Sequence, residues 1–555
     1  VDQIMCSVVQ VSGEASLKSD CLPFDQIPHT TPLFADLLAY APKVRTFYPH
    51  SPYLNDWVRD EAAHLEYDPA RREPVASALE RQNRQWNASV KTMENIALLG
   101  GGAAAILTGQ QVGLFGGPAF TVYKALNAIR LAAEAQSAGV RAVPVFWLAT
   151  TDHDLAEINH VSIPGGDGTL QLLTTATKGL PDAPVGDVTF GPEILAVTQQ
   201  AAELLGTTDI ARVLQEAYRP GENFGSAFAR LFAHLFAEWG LILLDPGDPG
   251  LARIAEPIYR KVIENGAELE ERLLARGKEL DAAGYHQQVK VTPASTLLFA
   301  LQEGSRVPVL RRANGTAEVD YVVGKQVLSK AELLQKISAA PEDFSPNVLL
   351  RPVVQDYLLP TLAYTGGAAE VAYFAQAAVV YELLLGRVTP VIPRYSATIV
   401  EEKPAAVLQR YGLTLTDLFR GPEAVREQLA ARHLSEELHQ AFDDASAGLE
   451  KSLAAIRASL EKLDKTLVDA AQNAGEKIQY QLSQLRARAA RAELRQSEVL
   501  SRKADLLSLA LYPNKTLQER EIPGVYFIGK HGPELLNQLC ASIRPGCLDH
   551  QIITL

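Results

Sequence analysis

Two short segments hold most of the residues able to do chemistry. The first, ILTGQQVGLFGGPAFTVYKAL (106–126), sets Thr108, Gly109, Gln110 and Gln111 ahead of glycines that run to Gly116 and Gly117. A glycine loop that opens a helix offers unpaired backbone N–H groups and the positive end of the helix dipole, so it favours a carboxylate or a phosphate. The two glutamine amides add donors. The second, TTDHDLAEINH (150–160), brackets His153 with Asp152 and Asp154 and closes on Asn159 and His160. An imidazole whose tautomer is fixed by a carboxylate can act as a general base or bind an amino group. If this stretch is helical, His153, Glu157 and His160 share a face, but their spacing matches no established zinc signature, so no metal is expected. The plainer alternative is a tight glycine turn beside a satisfied core histidine at His160. An Asp-His-Asp cluster serves no packing need in an apolar sheet and weighs towards function.

The elements that must position these segments are legible around them. AAAILT (103–108) and VPVFWLAT (143–150) are continuous apolar runs, the pattern of strands buried on both faces of a parallel sheet. Between them Pro118 suits the first position of a helix, and Val122, Leu126, Ile129 and Ala133 give it one apolar face. This is a βαβ unit, and an open parallel sheet collects its ligands beyond the carboxyl ends of its strands, where both segments lie. AFARLFAHLFAEWG reads as a later helix. LILLD (241–245), VTPVIPR (388–394) and VYFIG (525–529) read as later strands, so the core is discontinuous in sequence. Residues 163–219 and 263–345 carry more turn signals and read as insertions. The latter holds alternating stretches with an Asn314-Gly315 turn that predict a small antiparallel sheet.

A chain of 555 residues exceeds one ordinary core, and its composition, 47% hydrophobic and 21% charged, is that of a globular protein. A net charge of -13 disfavours a phosphate-backbone partner, so small substrates are expected and nucleic acid is not. Cys6, Cys21, Cys540 and Cys547 show no CxxC spacing, which suits a reducing cytoplasm. No run is expected to reach the ~18 apolar residues that span a bilayer, and no signal-peptide pattern opens the sequence. In 434–510, Leu449, Leu453, Ile456, Leu460, Leu463 and Leu467 repeat at coiled-coil spacing. Ile478, Leu482, Leu485, Ala489, Ala492 and Val499 continue in a shifted phase. The break predicts an antiparallel hairpin turning at DKT (464–466) or NAG (473–475), with a homodimer through its apolar seam. Two near-motifs are discounted: GVYFIGKH (524–531) lacks the Ser or Thr of a phosphate loop, and LSKAELL (328–334) fits a capping box at Ser329.

Taken together, ILTGQQVGLFGGPAFTVYKAL, PVFWLATTDHDLAEINH, GYHQQV, RPVVQDYLLPTLAYTGGAAEVAYFAQ and LYPNKTLQER resemble the BshC family of bacillithiol biosynthesis from about residue 22 onwards. The resemblance implies an α/β fold: a Rossmann-like parallel-sheet core with two connecting insertions and a C-terminal antiparallel coiled coil that pairs subunits. The core then comprises 1–162, 220–262, 346–400 and a return at 511–555. The insertions are 163–219 and 263–345, and the helical domain is 401–510. The implied reaction adds cysteine to the sugar amine of glucosaminyl malate, and activating the cysteine carboxyl implicates ATP or another nucleotide. On this reading Asp152, His153 and Asp154 are catalytic. Thr108, Gly109, Gln110, Gln111, Gly116, Gly117, Asn159, His160, Tyr364, Gly366 and Gly367 bind substrate. Gln355, Asp356, Tyr285 and His286 are further polar anchors, and Gln518 and Arg520 are the nucleotide contacts. The chain has neither HxGH nor a complete KMSKS, and Thr151 stands where family members tend to carry an acidic residue. A metal-dependent hydrolase built on the His153 cluster and a non-catalytic coiled-coil assembly protein are the competing readings.

Overall fold

The apolar run ahead of the glutamines forms strand β1 (Ala104–Gln110), and VPVFWLAT forms β2 (Ala142–Leu148), buried along its whole length. Strands β3 (Ile242–Leu244), β4 (Thr361–Gly366) and β5 (Val391–Pro393) complete a sheet in the order β5-β4-β1-β2-β3, parallel at every pairing. The winding reverses between β1 and β4, and the crevice at their carboxyl ends is where doubly wound sheets bind ligands. The computed structural model describes residues 17–166, 168–180, 182–313, 319–433, 436–496, 498–544 and 546–555. They fall into two units, one formed by residues up to 166, 170–398 and 519–553, the other essentially by 399–518.

In the first unit, helix α1 (Ala119–Ser137) follows β1, with Pro118 as its N-cap rather than its first helical residue. Helix α2 (Phe224–Leu235) leads into β3, and helix α3 (Ala368–Leu385) leaves β4. Helix α3 corrects one expectation, because by length and composition it could cross a bilayer. Val371, Ala372, Phe374, Ala375 and Val380 are instead buried in the main core. GVYFIGKH is a second correction: it is a helix over Gly524–His531, not a strand. A short apolar run fits either element. Here Gly524 packs so closely on α1 that a Cβ would lie 2.5 Å from Val122 Cγ2.

Residues 163–219 contain part of an antiparallel hairpin (His160–Pro164 with Leu170–Thr174) and two helices, Ile194–Leu205 and Asp209–Ala217. Residues 263–345 carry helix Gly266–Ala282 and most of a five-stranded antiparallel sheet built on Ser295–Gln302 and Ser305–Ala313. The Asn314-Gly315 turn lies outside the described residues. Ser329 and Glu332 form the expected capping box on helix Lys330–Ala339.

In the second unit, helices α4 (Glu436–Leu463) and α5 (Thr466–Gln496) form the antiparallel hairpin. It turns at DKT, where Asp464 accepts the Thr466 N–H at 2.8 Å. NAG instead lies inside α5, where Gly475 admits Leu453: a Cβ there would meet Leu453 Cδ1 at 2.5 Å. Arg457 bonds Gln472 at one level of the hairpin and Arg486 bonds Asp443 at another, as antiparallel register requires.

Candidate functional site

A cleft of about 580 Å³ opens at the β1/β4 switch point, lined by Gly109, Gln110 and Gln111 at the carboxyl end of β1, by Gly367 to Glu370 after β4, and by Lys124 from α1. Lys124 forms its floor. Its ammonium, buried to 2% exposure, donates to Gly109 O (2.8 Å) and Gln110 Oε1 (2.8 Å) and pairs with Glu370 Oε2 at 2.5 Å. Glu370 also accepts from the Gly367 N–H (2.7 Å) and the Tyr364 hydroxyl (2.6 Å), capping α3 as it does so. Burial pulls the Lys124 ammonium down to about 8, the Glu370 charge opposing it. Burial disfavours the Glu370 anion too, but Lys124 and these hydrogen bonds prevail and hold its carboxyl below the usual range. The pair is therefore ionic at neutral pH. All three ammonium protons are engaged, so Lys124 positions its neighbours rather than acting as a base. Gln110, accepting through Oε1, presents its Nε2 amide as a donor at the cleft.

The two flanks differ in charge. On the β2 side, Asp152 and Glu157 line the cleft, Asp152 being held by Gln111 Nε2 (3.1 Å) and by the His153 N–H (2.8 Å). On the β5 side stand Arg394 and Arg520. Arg394 is fixed by Glu519 at 2.6 Å and lies over the Phe120 ring. Arg520 forms no ion pair among the described residues and senses the charges of Arg394, Glu519 and Glu370. Arg351 reaches the cleft between the Tyr364 and Tyr373 rings and donates to Tyr373 Oη at 2.7 Å.

His153 departs from expectation. Its Nδ1 receives an N–H from Arg306 at 3.0 Å, and neither flanking carboxylate bonds it; Asp152 Oδ1 stands 3.6 Å away. A guanidinium can only donate, so Nδ1 is the acceptor and the proton of the neutral ring sits on Nε2. Arg306 comes from the second insertion, stacks on Phe299 and donates to Pro346 O at 2.7 Å. Asp154 caps helix Leu155–Ile158 and is exposed. Asn159 and His160 lie beyond that helix, pair with each other at 3.3 Å and do not line the cleft. With only four residues helical, His153, Glu157 and His160 share no helical face.

The glycine loop also needs correction as an anion cradle. Gly113, Gly116 and Gly117 donate to Gln111 O, Gly113 O and Leu114 O, and the first N–H of α1, on Ala119, donates to Ile522 O at 2.9 Å. Gly116, at φ 87°, lets the loop fold onto Leu231 and Phe232 of α2. Gly116 and Gly117 thus make a packed turn, while Gly109, Gln110 and Gln111 form the cleft edge. Thr108 is fully buried, tying β1 to β4 through Thr365 O at 2.9 Å. Tyr364 and Gly367 line the cleft, whereas Gly366 is a close-packed hinge where a Cβ would lie 2.9 Å from Glu370 Cβ.

Several other candidates serve structure. Gln355 and Asp356 are buried and bonded to each other, Tyr285 donates to Asp36 at 2.9 Å, and His286 turns to Gln288 at 3.1 Å. Gln288 itself lines the cleft. Gln518 is not available to a nucleotide: it is 1% exposed, and its amide is spent on Ile399 N, Ile399 O and Ala510 O. Sequence reasoning missed Lys124, Glu370, Arg351 and Arg394. A signal for the first two existed, since each is a charge set directly among apolar residues near the start of its helix, and such residues are almost never buried without a partner.

Two family descriptions match the chain: "Bacillithiol biosynthesis BshC, N-terminal Rossmann-like domain" over residues 17–395 and "Bacillithiol biosynthesis BshC, C-terminal coiled-coil domain" over residues 397–555. A protein of Koribacter versatilis (strain Ellin345) named "Putative cysteine ligase BshC" is 47% identical over 534 residues, covering 96% of this chain and 99% of its own. Proteins of the same name from Solibacter usitatus (strain Ellin6076) and Salinibacter ruber (strain DSM 13855 / M31) are 36% and 33% identical, each across 96% of this chain and 99% of theirs.

Proposed function

The chain belongs to the BshC family, and from that premise we propose that it is a carbon–nitrogen ligase joining the cysteine carboxyl to the amine of glucosaminyl malate. The observation that carries the reading is the charge polarity of the cleft. Carboxylates Asp152 and Glu157 stand on the β2 flank and Arg394 and Arg520 on the β5 flank, with the Gln110 amide between them. A substrate with an amine at one end and two carboxylates at the other fits this polarity in one orientation only, and binding energy so used aligns the reacting atoms. Asp152 and Glu157 receive the ammonium and take its proton as the amine attacks. Gln110 Nε2 donates to the carbonyl oxygen on which charge develops, and Lys124 keeps that amide aimed.

Amide formation from a free carboxylate is uphill in water, and a bound nucleoside triphosphate would supply the activation. The amides of Gly113, Gly116 and Gly117 are committed within the fold, so the glycine loop is not the group that holds its phosphates. Pairing of two copies through the hairpin is part of the same proposal. Ile456, Leu463, Ile478 and Leu485 are all at least 49% exposed on the single chain, and an apolar seam of this kind favours a partner helix. A hairpin-deleted protein that still scatters light as a dimer would refute the pairing.

The deciding assay incubates purified protein with glucosaminyl malate, cysteine and ATP and follows bacillithiol by mass spectrometry. Product that requires all three supports the ligase. Absence of product, together with a substrate-independent melting temperature, overturns it.

A further inference from the structure

Outside the cleft, Cys21 and Cys547 bring two sulfurs together from opposite ends of the chain. Cys21 lies in strand Lys18–Leu22, and Cys547 in the turn ahead of strand His550–Thr554, its neighbour in a small sheet. The Sγ atoms stand 2.8 Å apart, approaching the ~2.05 Å of a bonded pair. Both are free thiols, Cys21 exposed and Cys547 half-buried, so a small reagent can reach them. The approach does not depend on the sulfurs alone: Arg544 donates to Ser19 O at 3.2 Å, and Ser19 Oγ donates to Gln551 Oε1 at 3.2 Å. These contacts hold the two segments in register whether or not the thiols are joined.

We propose that Cys21 and Cys547 form a thiol–disulfide exchange site, oxidised to an intramolecular disulfide by a low-molecular-weight disulfide. One thiolate attacks a sulfur of the reagent R–S–S–R, forming a mixed disulfide and expelling R–S⁻. The other thiolate then attacks the protein sulfur of that mixed disulfide, closing the Cys21–Cys547 bond and expelling the second R–S⁻. The two cysteines lose two electrons and two protons, and the reagent leaves as two R–SH. Arg544 stands beside the pair as a cation and Asp549 as an anion. Burial and the neighbouring Cys547 push the Cys21 thiol up to about 11, so exchange quickens as pH rises. The bond links the strand at Lys18–Leu22 to the turn ahead of strand His550–Thr554, and so ties together two segments far apart in sequence. This inference does not rest on the ligase reading.

The test treats the full-length protein with excess cystine and maps its cysteines by mass spectrometry without reduction. The expected result is a loss of about 2 Da per chain, one Cys21–Cys547 cross-linked peptide, and reversal by dithiothreitol. In the Cys21→Ser protein, which need lose no core packing at an exposed site, the expected result is a half-cystine adduct on Cys547 and no cross-link. Wild-type protein that stays unmodified, that carries adducts without the cross-link, or that cross-links through Cys6 or Cys540 instead would overturn the proposal.

Discussion

The cleft floor and the Asp152–His160 segment lie at the ends of adjacent strands yet are built on opposite principles. The floor is a closed network: the Lys124 ammonium, the Glu370 carboxylate and the Tyr364 hydroxyl satisfy one another, with Lys124 and Tyr364 buried and the Glu370 side chain 15% exposed. The segment after β2 is open, its Asp152 and His153 side chains 37% and 33% exposed, and each is anchored from outside it, His153 by Arg306 of an insertion and Asp152 by Gln111. Buried charges interact strongly and move little, whereas half-exposed ones are screened and can follow a substrate. The floor thus sets geometry, and the segment adapts to what binds.

Breaking the floor has the largest expected effect. Glu370→Gln leaves the Lys124 charge buried and unpaired, which costs about 3–5 kcal/mol of stability. Combining it with Lys124→Met restores much of the loss, and a double-mutant cycle in urea checks both. If Glu370→Gln unfolds at the wild-type midpoint, the floor is not preorganised. Next comes Gln110→Ala, expected to lower kcat about 100-fold, as losing one oxyanion donor does, with the melting temperature unchanged.

A pH series sharpens the same contrast. Lys124 titrates at about 8 in the folded chain, below the ~10.4 of an exposed lysine. Between those values the unfolded chain binds the extra proton, so the Lys124 contribution to stability rises with pH across that window and is constant below it. Activity moves the other way, falling as pH passes about 8 because the neutral amine no longer holds Gln110 and Glu370. The Lys124→Arg enzyme, which stays charged, should lack this fall; a rate profile for each enzyme decides it. The smallest effect is expected at His153. Its Nδ1 is occupied by Arg306, so His153→Ala should change kcat by less than about 10-fold, against the 10²–10⁴ of a true general base. A loss beyond that range would return His153 to the chemistry.

The parallel-sheet core was legible because β1 and β2 are mostly apolar and buried, and the hairpin because its leucines keep coiled-coil spacing as far as Leu467 and resume in a shifted phase at Ile478, which left the turn itself, at DKT, undecided. Strand order was not. No periodicity tells β1 that its second neighbour is β4, so the sequence placed the cleft between the β1 and β2 loops and saw only part of its wall. The glycine loop misled for a related reason. Its N–H groups look free until Ile522, distant in sequence, supplies an acceptor. GVYFIGKH shows the limit of pattern in another way, since its six apolar or small residues, Gly524 to Gly529, fit a strand until the close approach of Gly524 to Val122 selects the helix.

That same Ile522 carbonyl has a consequence for how the enzyme comes off the ribosome. Strand β1, the glutamines and Lys124 emerge early, but the start of their helix waits for Ile522, and Arg394 waits for Glu519. A nascent chain can therefore assemble its sheet without possessing a finished site. Translation that stalls within the hairpin yields a fragment able to hold neither arginine nor helix in place, and activity arrives only once Glu519 and Ile522 have been added.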